Sequence, residues 1–166
     1  MYKRQGKEPH FLVWAVKGKN GAPLQRIQII KGWIDTNSGR PKEMVYDVTC
    51  SDGLAVDPVT HRCPDNNAKV DIYTCKISDN VGAVELKAKW QDPEFTTTDN
   101  AFYYVRVLEN PTCRWSSWDA IKNGFEPRKD LHSTIQERAW SSPIWFVPED
   151  DGFEIIPLGG SISLRN

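Results

Sequence analysis

Two short sets of residues have types and spacing that could do chemistry. Arg114, Trp115 and Trp118 follow closely on Glu109, and Glu137, Arg138 and Trp140 lie a little further on. A guanidinium held over an indole face is attracted to it. Arg and Trp are also among the side chains that most often anchor protein contacts, and a flat tryptophan face can carry a sugar ring. These six residues are therefore candidates for an interface or a ligand platform, with Trp115, Trp118 and Trp140 as its rings. The competing assignment is structural, with large aromatics closing the open end of an apolar core. Four of the seven tryptophans fall between Ala101 and Phe146, the stretch around which the chain is organised.

Other chemistries lack their residues. His10, His61 and His132 sit in no HxH or HExxH pattern. No GxSxG elbow is present, and Gly18 and Gly21 do not open a helix as a phosphate loop requires. Asp52, Asp57 and Asp65 share one loop and could offer oxygens to calcium. Their spacing matches no EF-hand, so turn chemistry by Asp and Asn is the preferred reading. Asp150 and Asp151 read as a solvated acidic turn. A formal charge of -1 gives no sign of a surface built to seek nucleic acid. No apolar run approaches a membrane span, and no apolar signal core follows the basic start of the chain. No catalytic or metal-ligating residue emerges.

Cys50, Cys63, Cys75 and Cys113 contain no CxxC pair, so a zinc ribbon is not indicated. An even count at wide spacing suits two disulfides in an oxidising compartment. Three pairings are possible. Cys50–Cys63 with Cys75–Cys113 is favoured, because the first closes a turn-rich loop and the second ties the central stretch to a strand. Four reduced, buried thiols are the alternative.

The elements that must position these residues read as short strands. Residues 101–108 are aromatic and β-branched without Gly or Pro. Phe102, Tyr104, Arg106 and Leu108 share one face and Tyr103, Val105 and Val107 the other, as in a central strand. Arg106 is read as a long stem lying over the sheet with its head in water. Residues 10–17 form a nearly continuous apolar run and read as a buried strand. Residues 24–34 and 44–49, around an Asn-Gly-Pro turn cluster, read as a hairpin. Residues 69–77 read as another strand. Residues 84–90 alternate cleanly, with Val84, Leu86, Ala88 and Trp90 inward. A short helix is expected over 116–124, capped by Ser116 or Ser117 and ended by Gly124. Residues 134–140 and 142–146 read as extended. The predicted class is all-β: an immunoglobulin-like antiparallel β-sandwich over residues 1–148, with one short helix in an inserted loop. Residues 149–166 form a tail in which 153–156 could add a strand.

Several phrases carry a family resemblance. They are PLQRIQIIKGWID (23–35), AFYYVRVLENPTCRWSSWDA (101–120) and TIQERAWSSPIWF (134–146), together with EMVYDVTCSDG and DNVGAVELKAKWQDPEF. They resemble the C-terminal region of a bacterial family of unknown function that is itself similar to the PHP (polymerase and histidinol phosphatase) metallo-hydrolases. The resemblance runs from Phe11 to Val147. It implies an exported or periplasmic parent with a metal-dependent phosphoesterase barrel followed by a β-sandwich. Divalent metals and their ligands are expected only in that barrel, and no cofactor in this chain. The implied partner is the parent's catalytic domain, and the oligomeric state is left open.

Overall fold

The computed structural model describes residues 3–4 and 8–148. Within them the chain forms β1 (Lys3–Arg4), β2 (His10–Val16), β3 (Leu24–Ile34), β4 (Pro41–Cys50), β5 (Glu85–Gln91), β6 (Ala101–Glu109) and β7 (Thr112–Cys113). Then follow α1 (Trp115–Asn123), β8 (Thr134–Ile135), β9 (Arg138–Trp140) and β10 (Ile144–Phe146). The expected strand at 153–156 and the Asp150-Asp151 turn lie outside the described residues.

β3 sits at the middle because both of its edges are used. It pairs antiparallel with β4 on one side and with β6 on the other. β6 in turn carries β10 at one end and β9 at the other. β1 adds to β10, in parallel. β2 and β5 make a separate two-stranded antiparallel sheet. That sheet contributes Phe11, Val13 and Leu86 to a core shared with Ile27, Ile29, Ala101, Tyr103 and Phe146 of the large sheet. Full burial of Ile27 and Ile29 stabilises by about 1.5–3 kcal/mol each. The architecture is all-β and sandwich-like, with one short helix in the excursion between β7 and β8. On the outer face of β3, Gly32 lies under the Phe102 ring. A methyl group there would come within 2.3 Å of it, so glycine is what lets the ring lie flat on the strand.

Four expectations need correction. β2 is not buried on both faces. Phe11 and Val13 point into the core, while Leu12, Trp14 and Val16 point out. Residues 69–77 make no strand, only an isolated Val70–Ile77 bridge. Asp71 bends the segment instead: its carboxylate accepts from the Tyr73 N–H and the Thr74 hydroxyl, and its carbonyl accepts from the Cys75 N–H. Side-chain turn chemistry thus prevails over alternation. Val84 is exposed, one residue ahead of β5, although Leu86, Ala88 and Trp90 do face inward. Finally, α1 starts at Trp115, with Arg114 rather than a serine at its N-cap and no side-chain cap, and the Ser117 hydroxyl donates instead to the Ser133 carbonyl at 2.8 Å. Gly124 ends the helix as expected, in the left-handed region at φ 69°.

The disulfides are Cys50–Cys63 and Cys75–Cys113, the favoured pairing. The second ties the 69–77 loop to β7, immediately before Arg114.

Candidate functional site

The excursion divides the six candidate residues between two surfaces. Trp115 and Trp118 ride on α1, and both rings are exposed. Trp115 lines a hollow of about 440 Å³ with Phe125 and Arg128. Arg114, Glu137, Arg138 and Trp140 line a second hollow of about 440 Å³, joined by His132 and Thr134. β9 builds one wall of it, with Trp140 paired to Arg106 and Arg138 to Leu108. β7–β8 pairing and the Arg114 N–H, which donates to the Ser133 carbonyl, hold the other side. The anticipated stacking of Arg on Trp does not form here. Among the described residues, the cations that lie over indole rings are Lys31 on Trp33 and Lys87 on Trp14. The Arg114 guanidinium has no hydrogen-bonding or ion-pair partner among the described residues, and its Nε is shut away from solvent.

The outer face of the large sheet carries a polar network. Asp47 on β4 accepts from Arg26 Nη1 at 2.9 Å, Gln28 Nε2 at 2.6 Å and the Cys63 N–H at 2.6 Å. Arg106 donates from Nε to Gln28 Oε1 at 2.7 Å, so its head rests on an amide rather than in water. The network staples the first disulfide loop to the sheet. The three loop aspartates are occupied by turns: Asp57 and Asp65 accept nearby backbone N–H groups, and Asp52 accepts from Gly82. Among the described residues, no three His, Cys, Asp or Glu side chains gather as a metal site. No described helix is long and apolar enough to cross a membrane.

β2 offers a different kind of surface. Leu12, Trp14 and Val16 are 85%, 66% and 58% exposed. The Lys17 N–H donates to the Val84 carbonyl, which continues the β2–β5 ladder. By antiparallel alternation, the backbone groups of Phe11, Val13 and Ala15 turn toward β5. Those of Leu12, Trp14 and Val16 turn toward the opposite edge, which no other described strand pairs. A groove of about 530 Å³ runs along that edge, between Leu12 and Trp14 on one side and Trp140 and Ile144 on the other. Sequence reasoning assigned these residues to the core, because an apolar run reads alike whether covered on one face or two.

The model of a family described as "Protein of unknown function (DUF3604)" matches residues 1–148. The chain belongs to that family. No curated protein matches it, and no solved structure does.

The DUF3604 chain also holds a buried polar cluster that its sequence does not advertise. Lys31 Nζ lies 2.6 Å from Asp92 Oδ2 and donates to the Glu94 carbonyl at 2.9 Å. The two side chains are 2% and 0% exposed. The Tyr103 hydroxyl donates to the same Asp92 oxygen at 2.8 Å, and the Tyr46 hydroxyl reaches Glu94 at 3.4 Å. This cluster pins the loop after β5 to β3, β4 and β6. Its burial makes it a structural element rather than a surface for substrate. Burial, reinforced by the hydrogen bond to Asp92, raises the Tyr103 hydroxyl well above its ordinary 10.0. Burial and the charges of Asp92 and Glu94 do the same to Tyr46. Unfolded tyrosines ionise near 10, while these two keep their protons in the fold. The stability they contribute is therefore full below about pH 10 and falls as pH rises above it. Denaturation midpoints should be flat across mildly alkaline pH and then drop. A double Tyr46→Phe/Tyr103→Phe variant should show a shallower drop; an equal drop would refute this assignment.

Proposed function

We propose that the chain is a non-catalytic accessory domain of a PHP-like metal-dependent hydrolase, seated against that enzyme's catalytic barrel. The observation that carries this reading is the outer face of β2. A seven-residue strand without charge, proline or bulge, with three large apolar side chains in solvent, lacks the devices that protect a free edge. Contiguous exposed apolar surface of this kind marks protein contact. The family resemblance supports the choice of partner. The two disulfides support an oxidising, periplasmic or extracellular setting. Divalent metals belong, on this reading, to the barrel. On this reading the docking surface is β2 rather than the Arg114–Trp118 excursion.

The test uses a full-length relative that carries the barrel. Leu12→Lys with Trp14→Lys, at the matching positions, should lower the thermal stability of the barrel and its hydrolysis rate. In the isolated domain the same changes should cost only about 1 kcal/mol each: both sites are exposed, but Trp14 gives up its contacts with Glu85 and Lys87, and each new lysine faces a lysine of β5. Unchanged hydrolysis and melting in the full-length protein would defeat the docking assignment. A second reading, a carbohydrate- or peptide-binding module, is favoured by one observation: Trp140 is exposed at the hollow that holds the unpartnered Arg114.

A further inference from the structure

We infer that the hollow beside β9 binds an acidic saccharide, with the Arg114 guanidinium taking its carboxylate and the Trp140 ring carrying its sugar face. The inference rests on the second reading above; Trp140 also borders the β2 groove, whereas Arg114 does not.

Arg114 is the departure point. Among the described arginines that are partly buried, Arg26 donates to Asp47 and Arg106 to Gln28. Arg114 has no acceptor among the described residues, and its Nε is sequestered. A donor without an acceptor costs free energy, and because the Nε has no exposed surface, a ligand entering the hollow meets the terminal nitrogens of the same fork, which also lack an acceptor among the described residues. A carboxylate fits a guanidinium because its two coplanar oxygens match the planar fork.

The rest of the hollow narrows the ligand. Arg114 and Arg138 contribute two positive charges and Glu137 one negative, so one positive charge is left over. That balance suits a monoanion better than a phosphate dianion. Glu137 would repel a bare anion but accepts hydroxyl protons, as does Thr134. Hydroxyl acceptors beside a guanidinium call for a ligand carrying both a carboxylate and hydroxyls. Trp140, 60% exposed, supplies the flat apolar surface on which a sugar ring stacks. The frame is rigid where it matters, because Arg114 directly follows the Cys113 disulfide and opens α1.

The experiment titrates the whole chain with an oligogalacturonate and, separately, with a neutral galacto-oligosaccharide of equal length. Tryptophan fluorescence and calorimetry at low salt give the two affinities. The acidic ligand is expected to bind at least about tenfold more tightly than the neutral one. Arg114→Gln should lose about tenfold or more in affinity, and Arg114→Lys somewhat less, since charge remains but the fork is gone. Trp140→Ala should lose several-fold. Arg128→Gln, at the other hollow, should bind as the parent does. Melting temperature is the second readout: Arg114→Gln removes a donor that has no partner and should not lower it. If the neutral ligand binds equally well, the platform reading survives and the acidic-saccharide inference falls. If neither ligand binds, or if Arg114→Gln binds normally, the inference falls as well.

Discussion

Replacing Lys31 with alanine is expected to destabilise the fold by about 3–5 kcal/mol, the usual result of removing one partner of a buried ion pair. Asp92 would be left charged in a site with no solvent access, its carboxylate held only by the Tyr103 hydroxyl and the Glu94 N–H. The Glu94 carbonyl would lose its donor as well. Neither side chain is exposed enough for water to soften the loss. For a domain of this size the melting temperature should fall by roughly 10–15 °C. A double Lys31→Met/Asp92→Leu variant should recover part of the difference, because the charges vanish together. Recovery should be incomplete, since Tyr103 and the Glu94 N–H then lack an acceptor. Guanidinium denaturation of the three proteins decides the matter. A Lys31→Ala loss below 1 kcal/mol would show that water or a rearranged loop satisfies Asp92 after all.

That pair explains why the sequence reveals the frame of this domain better than its interior. β3, β5 and β6 were legible because period and composition agree. Ile27 and Ile29, Leu86 and Ala88, and Tyr103 and Val105 fall on the faces that alternation assigns them. Lys31 breaks the rule invisibly: a lysine on the inward face of a central strand reads as an outward one until its partner is known. The partner lies 61 residues away in a loop, beyond any local pattern. β2 failed in the opposite direction. Its apolar run is continuous, so nothing in the sequence says that only one face is covered. The 69–77 loop failed because Asp71 and the Cys75 crosslink compete with a weak alternation.

The candidate site was legible only as residue types. Composition singled out Arg114, Glu137, Arg138 and Trp140, and the structure gathers them around one hollow. It does not gather Trp115 or Trp118 there: α1 carries Trp115 to another hollow, and Trp118 lines neither. Sequence singles out Arg114 by its neighbouring tryptophans and reads Arg106 as a stem with its head in water, but it does not show which of the two finds an acceptor. Arg106 rests on Gln28 within a satisfied network, and Arg114 has no acceptor among the described residues. That difference depends on which loop closes over each stem.

Loss of the Cys75–Cys113 crosslink is expected to cost about 4 kcal/mol, and loss of Cys50–Cys63 about 3 kcal/mol, in the chain-entropy account of loop closure. The difference follows from separations of 38 and 13 residues. Chemical denaturation of Cys75→Ala/Cys113→Ala and Cys50→Ala/Cys63→Ala measures both. If the two effects add, complete reduction costs about 7 kcal/mol, comparable to the roughly 5–15 kcal/mol that separates most folded domains from their unfolded chains. A fully reduced chain should then sit near the folding threshold, which is the physical reason for proposing an oxidising compartment. The two variants should also differ locally. Cys113 directly precedes Arg114, so opening its crosslink should speed hydrogen exchange along the start of α1 and slacken the Arg114 hollow. Opening Cys50–Cys63 should instead loosen the loop that Asp47 staples to β4. Equal exchange at the start of α1 in both variants would mean that β7–β8 pairing alone holds Arg114 in place, and that the second disulfide bears on stability without shaping the site.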